Sequence, residues 1–229
     1  MKSTFITYDE PAEKGAELDD FCALILCGGQ SRRMGKDKRN LKLGQRDFLQ
    51  LAQDALCQLG VANTIFVGGK DEPMQKHKIA DTYSFQGPAV ALLHALRTLA
   101  GDSGFVHHAP SSVSPLNKTA NPLFFERYRH CVIIPVDMPL LTPASILPLI
   151  EVACGEKHSC HYDNECFPLV IYNVAAHLDK LTHAISGQAP RSMRTIIQSV
   201  GALRVDVPVG LERTLVNINT PQDYAKYCT

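Results

Sequence analysis

Two stretches of this chain carry residue types suited to holding and reacting with phosphates. The first runs Leu26-Cys27-Gly28-Gly29-Gln30-Ser31-Arg32-Arg33-Met34-Gly35-Lys36-Asp37-Lys38. Gly28, Gly29 and Gly35 permit positive φ and let a ligand come close to the backbone. Consecutive N–H groups in such a turn form an anion-binding concavity. From Arg32 to Arg46 there are seven basic residues and one acid, Asp37. A loop of this kind suits a triphosphate. The Gly-Lys-Ser/Thr ending of the Walker pattern is absent. The plainer reading, a glycine-rich turn with a solvated basic face, is outweighed by this basic density directly behind an apolar strand. The second stretch is Ile134-Pro135-Val136-Asp137-Met138-Pro139-Leu140. An Asp at the carboxyl end of a buried strand points into the crevice where open α/β sheets bind ligands. Mg²⁺ takes one or two protein carboxylates plus phosphate oxygens, so one Asp there is enough. As a helix cap, Asp137 stands too far upstream of the helix expected at residue 143.

The elements that must position these groups are readable from periodicity. Phe21 to Cys27 is an unbroken apolar run, as in a strand covered on both faces. Thr64–Val67 and Cys131–Val136 read the same way, and Phe167–Tyr172 and Leu203–Val207 as further strands. Residues 48–59 have helical apolar spacing and a stop at Gly60. Residues 88–100 form a second helix with Pro88 in its first turn. Pro143 starts a third helix, through about Ala153. A fourth begins at Thr220-Pro221, with the Thr as cap. Strands alternating with helices imply a doubly wound, mostly parallel α/β sheet with helices on both faces. The domain is expected over residues 21–229, with an inserted surface loop at 101–122 and a solvated acidic extension at 1–20.

Composition narrows the function classes. The chain has 229 residues, 23 basic and 23 acidic, for a formal net charge of zero. A global polyanion-binding surface is not indicated, so nucleic acid is not an expected partner. No apolar run approaches the roughly 18–20 residues of a membrane span. The first 20 residues are too acidic for a signal or transit peptide, which reads as a cytoplasmic protein whose eight cysteines are reduced.

The motifs together resemble those of the molybdenum cofactor guanylyltransferase family, within the nucleotidyltransferases of GT-A-like, Rossmann-like fold. The resemblance rests on 26–38, Gly87-Pro88, Pro135-Val136-Asp137-Met138-Pro139, Phe167-Pro168-Leu169 and Val216-Asn217-Ile218-Asn219-Thr220-Pro221, in that order. It implies transfer of GMP from GTP to the phosphate of molybdopterin, with release of pyrophosphate. It implies Mg²⁺ as cofactor, with Mn²⁺ as an alternative, and Asp137 as the metal ligand. Lys38 would be the phosphate-side lysine, with Arg33 as a catalytic helper. Leu26, Cys27, Gly28, Gly29, Gly68 and Asp81 would join Lys38 and Asp137 around the nucleotide. Asn217, Asn219, Arg191 and Arg194 are candidates for the pterin side. Transient contacts with cofactor-biosynthesis or recipient proteins are left open. Three departures from the family stand out: Cys27 replaces the usual Ala, Ala91 replaces a Gly, and the 1–20 and 101–122 segments are longer.

Other readings remain. A cytidylyltransferase or a sugar-phosphate nucleotidyltransferase shares the fold, although Gly28-Gly29 favours the guanylyl branch by resemblance. A non-catalytic adaptor could keep the nucleotide pocket, but it would have no need of Lys38 and Asp137. Cys154, His158, Cys160, His161 and Cys166 lack zinc spacing and read as a polar hairpin with incidental thiols. His94 reads as an ordinary residue of an amphipathic helix.

Overall fold

A computed structural model describes residues 5–6, 18–28, 34–35, 37–68, 78–79, 86–101, 124–186 and 190–228. The expected loop at 101–122 lies outside these residues, apart from Gly101. Ten short strands are present among the described residues: β1 (Phe5–Ile6), β2 (Phe21–Leu26), β3 (Lys42–Leu43), β4 (Arg46–Asp47), β5 (Asn63–Val67), β6 (Lys78–Ile79), β7 (His130–Pro135), β8 (Cys160–Tyr162), β9 (Leu169–Ile171) and β10 (Leu203–Val205). Eight form one sheet in the order β1-β10-β8-β9-β7-β2-β5-β6. β9 runs antiparallel to both its neighbours, and every other pairing in the sheet is parallel.

Helices cover both faces of this sheet. Alternate residues of β2 enter different cores: Phe21, Ala23 and Ile25 join one, Cys22, Leu24 and Leu26 the other. The first core is closed by α1 (Phe48–Leu59) and α4 (Pro143–Glu156), with α7 (Pro221–Tyr227) at its margin. The second is closed by α2 (Pro88–Leu99), α3 (Phe124–Arg127), α5 (Leu178–Ser186) and α6 (Met193–Ser199). This two-sided burial explains the unbroken apolar runs of β2 and β7, every residue of which is buried. Each Leu, Ile or Val so covered contributes roughly 1.5–3 kcal/mol. The helix ends follow local chemistry. Asp47 and Gln50 form a reciprocal capping box on α1, and Gly60 ends it with φ 96°. Thr220 and Asp223 do the same for α7.

Several expectations are corrected. The supposed polar hairpin around 154–166 contains β8, an internal strand buried along its whole length. Cys160 and His161 find carbonyl partners in the fold. The Cys160 thiol donates to the Leu149 carbonyl at 3.0 Å, and His161 Nδ1 lies 2.8 Å and 2.7 Å from the carbonyls of Tyr162 and Glu165. Burial pushes the Cys160 thiol pKa far up, so it stays a neutral core group. His94 lies in α2, as expected, and is buried. The acidic extension is not wholly a solvated tail. Phe5–Ile6 pairs in parallel with Arg204–Val205, Leu18 packs against the first core, and Asp20 forms an ion pair with Arg129. The last two expected strands are shorter than their apolar patterns, at Leu169–Ile171 and Leu203–Val205.

At the foot of β7, the His130 ring stacks on Tyr172 at 4.1 Å, and its Nδ1 accepts from the Asn173 N–H at 3.0 Å. Burial, then the Arg129 charge, lower its pKa below the usual imidazole value. The unfolded chain therefore binds a proton more readily than the native one. This contribution is fully present above about pH 6.5 and is lost as pH falls from there through the lowered native value. The melting temperature is expected to fall between pH 7.5 and 5.5, less steeply in His130→Gln. Identical slopes in the two proteins would show that His130 is not responsible.

Candidate active site

β2 and β7 lie side by side in parallel, with Leu26 paired to Pro135. Their exits therefore emerge together at one edge of the sheet. From β2 the chain crosses to β5 on one side, and β7 enters on the other. That is the topological switch point, where α/β sheets open a crevice. The ladder continues past the strand ends and sets the floor. Val136 N–H donates to the Leu26 carbonyl (3.1 Å), Cys27 N–H to that of Val67 (2.8 Å), and Gly68 N–H to that of Ile79 (2.9 Å). Gly68 adopts φ 79°, a turn that suits glycine. Leu26, Cys27 and Gly68 are buried under this floor and Gly28 is exposed above it.

Lys38 opens a 3-10 turn (Lys38–Asn40) capped by Asp37. Its ammonium donates to Asp137 Oδ2 and to Asn219 Oδ1, each at 2.7 Å. These three residues are widely separated in sequence, and the fold brings them to one point. Asp137 is not a helix cap; Thr142 caps α4. The backbone carbonyl of Asp137 accepts from Ile218 N–H at 2.8 Å, which ties the Asn219 segment to the exit of β7. Ile218 is fully buried and anchors that segment. Tyr224 on α7 reaches back to donate to the Lys42 carbonyl at 2.6 Å. The segment 218–224 thus grips the lysine-bearing stretch at both ends.

Other candidates divide. Gly29, Arg33 and Asp81 lie outside the described residues. Arg191 donates to Gln86 Oε1 at 2.8 Å, beside Gly87 at the start of α2. Arg194 lies against Cys166, a thiol whose pKa is raised by burial and lowered in part by that arginine. Among the described residues, no hydrogen bond ties Arg191, Arg194 or Asn217 to the Lys38–Asp137–Asn219 trio. Gly35 takes the left-handed conformation, φ 65°, and Gly28 does not. Ala91 sits within α2 against the second core. The sequence reading missed the Asp37–Arg39 pair and Tyr224. The only signal was Asp37 as the single acid of a basic stretch.

The site can hold a cation. Two oxygen donors already converge on one cationic centre, the Lys38 ammonium, which is the donor chemistry a hard divalent ion requires. Among the described residues, no group of three or more His, Cys, Asp or Glu is placed to hold a metal. Asp137 and Asn219 would then be the protein's share of the ligands. Among the described residues, no helix is long and apolar enough to cross a membrane.

The chain is similar to known proteins in both sequence and fold. A molybdenum cofactor guanylyltransferase from Xanthomonas euvesicatoria is 27% identical over 205 residues, 89% of this chain and 92% of that protein. The fold matches that of molybdopterin-guanine dinucleotide biosynthesis protein A from Archaeoglobus fulgidus, with TM-score 0.60, 19% identity, and coverage of 90% and 96% of the two chains. It also matches a Mycobacterium tuberculosis protein solved as a manganese complex, with TM-score 0.54, 16% identity, and coverage of 91% and 97%. The MobA-like NTP transferase domain matches residues 23–205. That match takes in both Lys38 and Asp137 and nearly the whole sheet, so the chain belongs to the MobA-like NTP transferase family and is a nucleotidyltransferase.

Proposed function

We propose that this protein transfers GMP from GTP to the terminal phosphate of molybdopterin, forming the guanine dinucleotide cofactor and releasing pyrophosphate. The observation that carries the chemistry is the convergence of Lys38, Asp137 and Asn219 at the switch point of the sheet. The choice of guanine and of the pterin is supported by the relatives named above and by the Gly28-Gly29 resemblance.

A phosphate oxygen of the pterin attacks the α-phosphorus of GTP. The new P–O bond forms as the bond to the β-phosphate bridging oxygen breaks, and pyrophosphate leaves with that electron pair. The nucleophile is already ionised near neutral pH, so the protein need not remove a proton. Its tasks are alignment and charge neutralisation. The Lys38 ammonium is suited to the triphosphate and the departing pyrophosphate. Asp137 and Asn219 would hold Mg²⁺ or Mn²⁺, and the manganese in the mycobacterial neighbour supports the ion type. Such an ion, when bound, neutralises phosphate oxygens and stabilises charge on the leaving group. The backbone floor that covers Leu26, Cys27 and Gly68 would seat the nucleotide. Gly29, Arg33 and Asp81 are kept as nucleotide-side candidates, and Asn217, Arg191 and Arg194 as pterin-side ones. The functional domain is placed over 21–229, past the matched 23–205, because Asn219 and Tyr224 complete the site. The protein is assigned to the cytoplasm, in transient contact with cofactor-biosynthesis or recipient proteins.

Pyrophosphate release with molybdopterin and Mg²⁺ tests the reading across GTP, CTP, ATP and UTP. Release with GTP well above the other three is expected. Preference for CTP would move the protein to cytidylyl transfer with the same machinery, and release with none would overturn catalysis.

A further inference from the structure

We propose that Asp223 is a positioning residue: its carboxylate holds the backbone of Asn219 and so keeps the Asn219 amide oxygen on the Lys38 ammonium. The proposal rests on the nucleotidyl-transfer reading only for what Lys38 does there.

Asn219 stands just outside α7, one residue before the cap, Thr220. The cap is reciprocal. Thr220 Oγ1 accepts from the Asp223 N–H at 3.1 Å, and Asp223 Oδ2 accepts from the Thr220 N–H at 2.8 Å. Those two bonds complete a capping box. The same Oδ2 accepts a further bond, from the Asn219 N–H at 3.0 Å. That donor lies ahead of the helix, so the bond adds nothing to the cap. What it holds is the residue whose side chain enters the site.

Asn219 is thereby anchored on both flanks. On one side the Ile218 N–H donates to the Asp137 carbonyl at 2.8 Å, and Ile218 is fully buried. On the other, the Asp223 carboxylate takes the Asn219 N–H. Bonds to an ionised acceptor are roughly twice as strong as neutral ones. Between these anchors the Asn219 Cα has little freedom, and the short side chain brings Oδ1 to 2.7 Å from Lys38 Nζ. Removing the carboxylate releases one of the two flanks. Displacing a group at a reacting centre by about 1 Å costs up to about 100-fold in rate.

The two halves of the cap separate positioning from helix stability. Thr220→Ala deletes the acceptor for the Asp223 N–H but keeps both backbone N–H groups that bond Asp223 Oδ2. Asp223→Ala deletes both of those bonds.

The experiment compares the wild type, Thr220→Ala, Asp223→Ala, Asn219→Ala and Asn219→Ala/Asp223→Ala, each assayed well below its own melting temperature. One readout is kcat for pyrophosphate release. The other, which needs no nucleotide, is the rate of Lys38 acylation by an N-hydroxysuccinimide ester, read by peptide mass spectrometry. Asp223→Ala is expected to lower kcat by about 10–100-fold and to speed acylation severalfold. Thr220→Ala should melt earlier yet keep kcat within about threefold of wild type. In the Asn219→Ala background no amide is left to position, so adding Asp223→Ala is expected to change either readout by less than about twofold. Any effect of Asp223 that does not pass through Asn219 acts in both backgrounds and drops out of the comparison. Asp223→Asn, which keeps an oxygen without the charge, carries the same comparison if Asp223→Ala does not fold. Equal losses in both backgrounds, a Thr220→Ala loss matching that of Asp223→Ala, or wild-type values in Asp223→Ala would overturn the proposal. A wild type inactive with GTP would count against the guanylyl reading alone, and the acylation rates would still decide on Asp223.

Discussion

Asp137→Asn is expected to lower pyrophosphate release by about 10²–10³-fold while the protein stays folded. The amide matches the carboxylate in size. The contact that ties residue 137 to the fold is its backbone carbonyl bond from Ile218, which the substitution leaves intact. What disappears is the negative charge on one of the two oxygen donors that meet at Lys38. The loss should therefore appear in turnover and in divalent-ion dependence, with melting close to wild type. Initial rates over a range of Mg²⁺ concentrations check this. Turnover within about threefold of wild type would remove Asp137 from the reaction.

Lys38→Met should move two readouts in opposite directions. Turnover should drop by about 10²–10³-fold if Lys38 is the phosphate donor proposed above, because that donor is then gone. Manganese binding to the free protein should strengthen, by about tenfold or more. In the free protein the Lys38 ammonium lies 2.7 Å from both Asp137 and Asn219. A divalent ion approaching the same oxygens must displace that ammonium and face its like charge. Even at an effective dielectric of about 20, contact between charges is worth a few kcal/mol. Methionine keeps much of the side-chain length and removes the competitor. Electron paramagnetic resonance of free manganese, titrated without nucleotide, measures the change. Equal or weaker binding in Lys38→Met would mean that lysine and metal do not share these donors. The same argument predicts little metal binding to the wild type until a triphosphate draws the lysine away.

The parts of this molecule that sequence made legible are those where one physical cause dominates. β2 and β7 are covered on both faces, so their apolar runs are unbroken, and the residues at their exits are visible as Gly28 and Asp137. α1 and α7 announce themselves by capping residues. β8 was illegible because Cys160 and His161 meet their polar needs through carbonyls that only the folded sheet supplies. In the basic stretch, sequence treats seven cations alike. The fold buries Arg39 on Asp37 and sends Lys38 across to Asp137, a distinction made by side-chain direction and not by composition. The link from Tyr224 to Lys42 spans 182 positions and has no local signature at either end.

That long-range strap also sets a timetable. Asn219 follows Lys38 by 181 positions, and Ile218 must be in place to bond the backbone of Asp137. A growing chain has Lys38 early and Asp137 midway, but Asn219, which completes their arrangement, arrives only at the end, directly after Ile218, a fully buried member of the first core. At about 5–20 residues per second, roughly 10–40 s separate the first of these residues from the last. The site is thus assembled as the final layer of the fold. A nascent chain has every buried residue of its second core before Lys38, Asp137 and Asn219 can meet, whereas the first core is completed together with them.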